Sequence, residues 1–217
     1  MSTAAAGDRE DFGGQAVKKN KLSPAACYAL SKIEAEQKLG ELAQEAELDV
    51  VIIKPPGVYG PDMKANFLRL FELVDRGIPL PLASVDNRRS FIYLDNLVDA
   101  LVRCCFHPNA GGQTFMVADG EDISTPELVR VIGKSLGRPV RLFPCPPFLL
   151  RAGGRICGVA DNMERLLGSL RIDNTRIVRE LNWQPPFSMA AGLRETAKWY
   201  LHQGRAGKRS GQAAEDK

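Results

Sequence analysis

The sequence predicts an α/β fold built on parallel strands, and three observations carry that reading. A helix-forming run rich in Ala, Glu, Leu and Lys, residues 25–47, is followed at once by a short, mostly apolar β-branched run, residues 48–53 (LDVVII). Such a run suits a strand covered on both faces by helices. Pro55, Pro56 and Gly57 then stop regular structure and leave a loop at the strand's C-terminal end, where open α/β sheets bind ligands. Beyond them, helix-like and strand-like runs keep alternating, the pattern of βα units.

The elements follow in order. Residues 12–24 are polar and glycine-bearing, and the first firm helix begins at residue 25. Residues 65–76 (ANFLRLFELVDR) place apolar side chains at helical spacing, and Gly77 with Pro79 closes that helix. A strand over 91–94 leads into a helix to about Cys105, with Asp95 as its expected N-cap. Residues 113–117 read as another strand. Ser124 with Glu127 three residues on forms a capping box, with Pro126 in the first turn, for a helix to about Leu136. The apolar stretch 148–159 reads as a helix interrupted at Gly153 and Gly154, and two further helices are expected over 175–181 and 190–202. Residues from 203 on are small and polar and read as a disordered tail.

Composition excludes several function classes. With 44% hydrophobic and 25% charged residues among 217, the chain can bury one good core or two small ones. The net charge of +3 is small and its Lys and Arg are scattered along the sequence, so neither a nucleic-acid partner nor a membrane partner is expected. Five cysteines form no CxxC pair and have no His at metal-ligand spacing, so no metal site is expected and the thiols read as reduced. No apolar run approaches the ~20 residues that cross a bilayer, and the start, MSTAAAGDRE, has no signal-peptide pattern. A cytoplasmic location is the expectation.

The sharpest chemical feature is Tyr28-Ala29-Leu30-Ser31-Lys32. Four-residue spacing on a helix puts a phenol and an ammonium on one face. The positive charge there favours the phenolate, which suits a group that moves protons to and from a carbinol or ketone oxygen.

Several motifs surround that pair. PAACYALSKIEAEQ is followed by a strand and KPPGVYGP (residues 54–61), then NFL (66–68), RRSFIYLDNLVDAL (88–101) and RELNWQP (179–185). In order and spacing this resembles the extended short-chain dehydrogenase/reductase family, the NAD-dependent epimerases and dehydratases related to UDP-glucose 4-epimerase. The resemblance covers nearly the whole chain to Tyr200. It implies the C-terminal part of a doubly wound parallel sheet plus a small mixed α/β substrate-binding domain. Residues 1–88 would be the remaining part of the dinucleotide-binding domain with the catalytic helix, and residues 89–202 mainly the substrate-binding domain.

Carried over motif by motif, the resemblance implies Tyr28 as catalytic acid/base and Lys32 as its partner, both also holding the nicotinamide ribose of NAD or NADP. Ser2, followed by Gly7 and Asp8 in STAAAGD, matches the third catalytic position, whose hydroxyl bonds the reacting oxygen. Pro55 falls where the family backbone meets the nicotinamide. Asn66 and Arg89 match positions that contact the phosphates of a nucleoside-diphosphate sugar, Arg89 as a bidentate donor; Arg88 is the alternative that could point inward instead. A homodimer through the helix bearing Tyr28 is a further implication.

Departures from the pattern matter as much. No GxxGxxG turn, and no acidic residue following one, occurs anywhere in the chain, so the resemblance implies more than a hundred residues of a usual member upstream of Met1. Pro56 stands where many epimerases carry Asn, and the second diphosphate arginine has no unambiguous match among Arg165, Arg171 and Arg176. Thr3 and Ala4 after Ser2 are not acidic, which favours epimerase or 4-keto-sugar reductase over dehydratase. The alternative is a non-catalytic truncated fragment or a nucleotide-sugar-binding remnant without the cofactor half. A related steroid-type dehydrogenase is disfavoured because Asn66 and Arg89 suit phosphates better than a ring system.

Overall fold

The computed structural model describes residues 24–63 and 65–215. The architecture is mixed α/β, as the sequence predicts. The elements are α1 (Pro24–Glu45), β1 (Ile52–Lys54), β2 (Gly57–Tyr59), α2 (Ala65–Asp75), β3 (Phe91–Tyr93), α3 (Leu94–Phe106), β4 (Thr114–Met116), α4 (Thr125–Leu136), α5 (Pro147–Ile156), α6 (Ala160–Leu167), α7 (Thr175–Leu181) and α8 (Met189–Glu215). The chain divides into two compact units, Met1–Ile52 with Gly111–Gln113, and Ile53–Ala110 with Thr114–Lys217.

The first unit carries α1. That helix ends where Glu47 takes a left-handed conformation (φ 51°) and the Leu48 N–H bonds back to the Ala43 carbonyl at 3.0 Å, the two-residue overshoot of a Schellman-type stop. The Val50 N–H then reaches the Leu48 carbonyl at 3.0 Å. These turns use up the front of the LDVVII run, so β1 starts at Ile52 and not at Leu48. It is also half-buried along its length, where burial on both faces was expected.

In the second unit β2 and β3 run parallel, with Gly57 opposite Phe91, Val58 opposite Ile92 and Tyr59 opposite Tyr93. The break after β1 is therefore only Pro55 and Pro56 long, against the loop expected through Gly57. Proline has no N–H for a ladder and ends β1. Gly57 opens β2, where a Cβ would stand 3.1 Å from the Phe91 ring. Parallel strands require a crossover, and the β2 to β3 connection carries α2.

The core of this unit gathers Tyr59, Phe71, Val129, Ile132 and Leu193, each at most 1% exposed. Its helices follow the sequence signals with a few corrections. α4 has the full capping box at Ser124 and Glu127 and stops at Gly137 in the left-handed region. α3 starts directly from β3, so Tyr93 is its N-cap and Asp95 lies inside the first turn without capping. There its charge still suits the positive helix end. α5 is not interrupted: Gly154 is buried, and a Cβ on it would meet Met163 Cγ at 2.7 Å. This glycine permits close approach of α6, a helix the sequence reading did not identify. α7 falls where expected, and α8 begins one residue early and runs on to Glu215. Among the described residues no helix is long and apolar enough to cross a membrane.

Candidate functional site

Within the second unit, α2, the segment 80–82, β3, α4, α5 and α6 enclose a cavity of about 480 Å³, within the size range of small-molecule sites. Its walls are mainly apolar, with Phe67 and Leu70 from α2, Phe91 from β3 and Leu166 from α6. Polar groups converge on it from three directions: Asn66 and Arg69 on α2, Arg89 just before β3, and Asn162 and Arg165 on α6.

Arg89 is held in place by several independent contacts. Its backbone bridges Ile123 on one side and Leu170 on the other. Its guanidinium donates to the carbonyls of Arg165 and Gly168, the latter at 3.1 Å, and lies over the Phe91 ring at 5.7 Å. Burial pushes its pKa below the usual value, and the neighbouring Arg165 charge pushes the same way. Two arginines lining a mostly apolar cavity carry positive charge that an anion such as a diphosphate would offset. Arg88 turns away and pairs with Glu127 at 3.2 Å. Of the two arginines that the sequence left open, Arg89 is the one that lines the cavity.

Arg165 bears on a second open choice by its position. Of the three arginines considered, it alone lines the cavity. Arg171 is taken up by Asp122 at 2.6 Å, and Arg176 lies over the Phe115 ring at 6.0 Å. Sequence reasoning could not separate them because Arg165 sits on α6, a helix too short to stand out by periodicity.

Asn87 was missed altogether. It is 2% exposed, donates to Thr125 Oγ1, the Leu166 carbonyl and the Gly168 carbonyl at 3.0–3.1 Å, and accepts from the Thr125 N–H at 2.8 Å. One side chain thereby ties the segment before Arg89 to the start of α4 and to the end of α6. An Asn two residues ahead of Arg89 was the available signal, and alone it does not distinguish this role from a turn residue.

The remaining sequence-predicted residues belong to other segments of the chain. Tyr28 and Lys32 lie one turn apart on α1 in the first unit, with Lys32 exposed. Pro55 is exposed in the two-residue connection between β1 and β2. Ser2 lies outside the described residues. The structure therefore brings Asn66 and Arg89 together at one cavity. Among the described residues no group of three His, Cys, Asp or Glu side chains could hold a metal ion.

The model of the NAD dependent epimerase/dehydratase family matches residues 1–118. The UDP-glucose 4-epimerase of Vibrio cholerae is 43% identical over 175 residues, covering 80% of this chain and 53% of that protein. The UDP-glucose 4-epimerase of Mycolicibacterium smegmatis is 30% identical over 189 residues, covering 84% of this chain and 55% of that protein. The chain spans about half the length of these curated relatives. Among solved structures, the Bordetella bronchiseptica enzyme WbmF in complex with NAD+ and UDP superposes with a TM-score of 0.61 at 21% identity, over 87% of this chain and 57% of that one. At that identity the likeness is one of fold.

Proposed function

The chain belongs to the NAD dependent epimerase/dehydratase family, and from that membership we propose that it carries the catalytic helix and the sugar-nucleotide cavity of an NAD(P)-dependent nucleotide-sugar epimerase or 4-keto-sugar reductase. The observation that carries the reading is the cavity of the second unit, which Arg89, Arg165 and, from α2, Asn66 all line. A nucleoside diphosphate presents the matching chemistry: a diphosphate for the two guanidinium groups and a flat base for the apolar walls. The relatives that are UDP-glucose 4-epimerases favour a UDP-sugar among such ligands.

In this reading residues 1–88 belong to the dinucleotide-binding domain and residues 89–202 mainly to the substrate-binding domain. Tyr28 takes the proton of a sugar hydroxyl and returns it, and the Lys32 ammonium favours the phenolate that does so. Ser2 donates a hydrogen bond to the same oxygen. A bound nicotinamide would supply the hydride chemistry at the sugar carbon, whether for epimerisation or for reduction of a keto sugar. The spacing of Tyr28 and Lys32, one helical turn apart on α1, supports their part in this reading. The 217 residues contain no GxxGxxG turn for the pyrophosphate. α1 exposes Leu39 and Leu42, which supports a homodimer through this helix.

A second reading, a sugar-nucleotide-binding chain without turnover, is favoured by one observation: every described residue that lines the cavity belongs to the second unit. Calorimetric titration with UDP and UDP-glucose, with and without NAD+, separates the two. Binding of UDP that weakens about tenfold or more in Arg89→Ala and in Arg165→Ala is expected. Keto-sugar formation lost in Tyr28→Phe would establish the enzyme; UDP binding without turnover would establish the second reading. No UDP binding at all would sink both.

A further inference from the structure

From Leu128 to Ala160 the chain carries Arg130, Lys134, Arg138, Arg141, Arg151 and Arg155 and no acidic residue. Inside that stretch lies α5, PFLLRAGGRI. With each residue turning the helix by about 100°, Phe148, Leu149, Ala152 and Ile156 share one side and Leu150 and Gly154 the other. Arg151 and Arg155, four residues apart, run along one flank. Exposure follows that division. Leu150 lines the cavity and Gly154 is buried, whereas Phe148 is 67%, Leu149 50% and Ile156 87% exposed. Phe143 before the helix and Val159 after it are exposed as well.

Scattered apolar side chains are ordinary on a soluble surface, but a row of them along one helix face, edged by arginine, is not. It is the composition of a helix that lies in a lipid headgroup layer. We propose that α5 is a membrane-surface docking helix, which lays Phe148, Leu149 and Ile156 into the boundary of an anionic bilayer and sets Arg151 and Arg155 against lipid phosphates. The ten residues of α5 rise about 15 Å, enough to lie in an interface and too short to span one.

Charge selects this occupant over a second copy of the chain. A two-fold dimer about this face would bring the arginines of both copies into one small apolar contact, whereas anionic headgroups neutralise them. Arg151 already pairs with Glu164 at 3.1 Å, but an exposed pair of this kind is weak and yields readily to a phosphate. Because Leu150 and the α6 residues Met163 and Arg165 line the cavity from behind, docking would set one wall of the ligand site at the membrane. The sequence reading expected no membrane partner, since scattered basic residues and a glycine-broken apolar run do not reveal that one face of α5 is left uncovered.

Co-sedimentation of the 217-residue chain with vesicles tests this, using phosphatidylcholine alone and phosphatidylcholine with added phosphatidylglycerol. The chain is expected to bind the anionic vesicles only, and less at high salt. Phe148→Ser combined with Ile156→Ser should abolish binding, and Arg151→Gln and Arg155→Gln should each weaken it about fivefold. Phe106→Ser, which removes the 85% exposed phenyl group at the end of α3, should leave it unchanged. Circular dichroism of each variant checks that the fold is kept, and the arginine variants leave the apolar face intact. No binding to either vesicle, equal binding to both, equal loss in Phe106→Ser, or a dimer broken by the Phe148 and Ile156 changes without vesicle binding would each overturn the proposal.

Discussion

The carboxylate of Asp119 is 4% exposed inside the second unit, and three donors reach it: Tyr59 Oη at 2.8 Å on one oxygen, the Tyr93 N–H at 2.9 Å and Asn96 Nδ2 at 2.7 Å on the other. Burial pushes its pKa above the ordinary carboxylate range, and the hydrogen bonds offset only part of that rise. A carboxyl whose folded pKa is raised contributes stability that is whole below its unfolded pKa of about 4 and is lost as pH rises through the folded value. Asp119→Asn keeps an acceptor for Tyr93 and Asn96 and removes the ionisation. Its stability relative to the parent chain is therefore expected to increase between pH 4 and pH 7, read as urea midpoints at the two pH values. A constant difference across that window would show that Asp119 is not strained by its charge. The same burial raises the Tyr59 phenol and puts Tyr93, which also hydrogen-bonds Asp95, at about 12. Both remain protonated donors at neutral pH.

Elements in this chain are set by a few end signals. In α4 the Ser124 hydroxyl donates to Glu127 Oε2 at 2.7 Å and accepts from the Glu127 N–H, while the Ser124 N–H bonds the same carboxylate at 3.0 Å. The bonds from Ser124 hold the Glu127 pKa below its ordinary value. Ser124→Ala should cost about 1 kcal/mol of unfolding free energy, seen as a lower urea midpoint with an unchanged slope. This helix was legible in the sequence because S-T-P-E encodes its start and Gly137 its end. α6 was not, because eight residues give too little periodicity and the stop before it, Gly158 at φ 69°, looks like any loop glycine. The twin glycines of α5 misled for a related reason. Sequence alone reads a glycine as a breaker, whereas Gly154 is there to let Met163 approach.

At the scale of the molecule, the cavity draws its walls from one unit, so a ligand held there stabilises that unit directly. UDP at a hundred times its Kd should add about 2.7 kcal/mol and raise the Tm seen by scanning calorimetry. In Arg89→Ala that rise should shrink or vanish when measured against the variant's own unliganded Tm, and the Arg89 backbone bridges to Ile123 and Leu170, which do not depend on its side chain, should keep the unit folded. An undiminished rise in Arg89→Ala would place the diphosphate elsewhere.

The sequence by itself determined the α/β class, most helices and strands, the family, and two of the residues that meet at the cavity, Asn66 and Arg89. These are properties of order and spacing, which periodicity, caps and motifs encode locally. Only the tertiary structure decided that Arg89 rather than Arg88 lines the cavity, that Arg165 lines it as well, that Asn87 ties their segments together, and that one face of α5 stays uncovered. Each of these depends on which side of an element meets a neighbour distant in sequence. Asn87 and Gly168 are 81 residues apart, and no local pattern on either segment records that they touch.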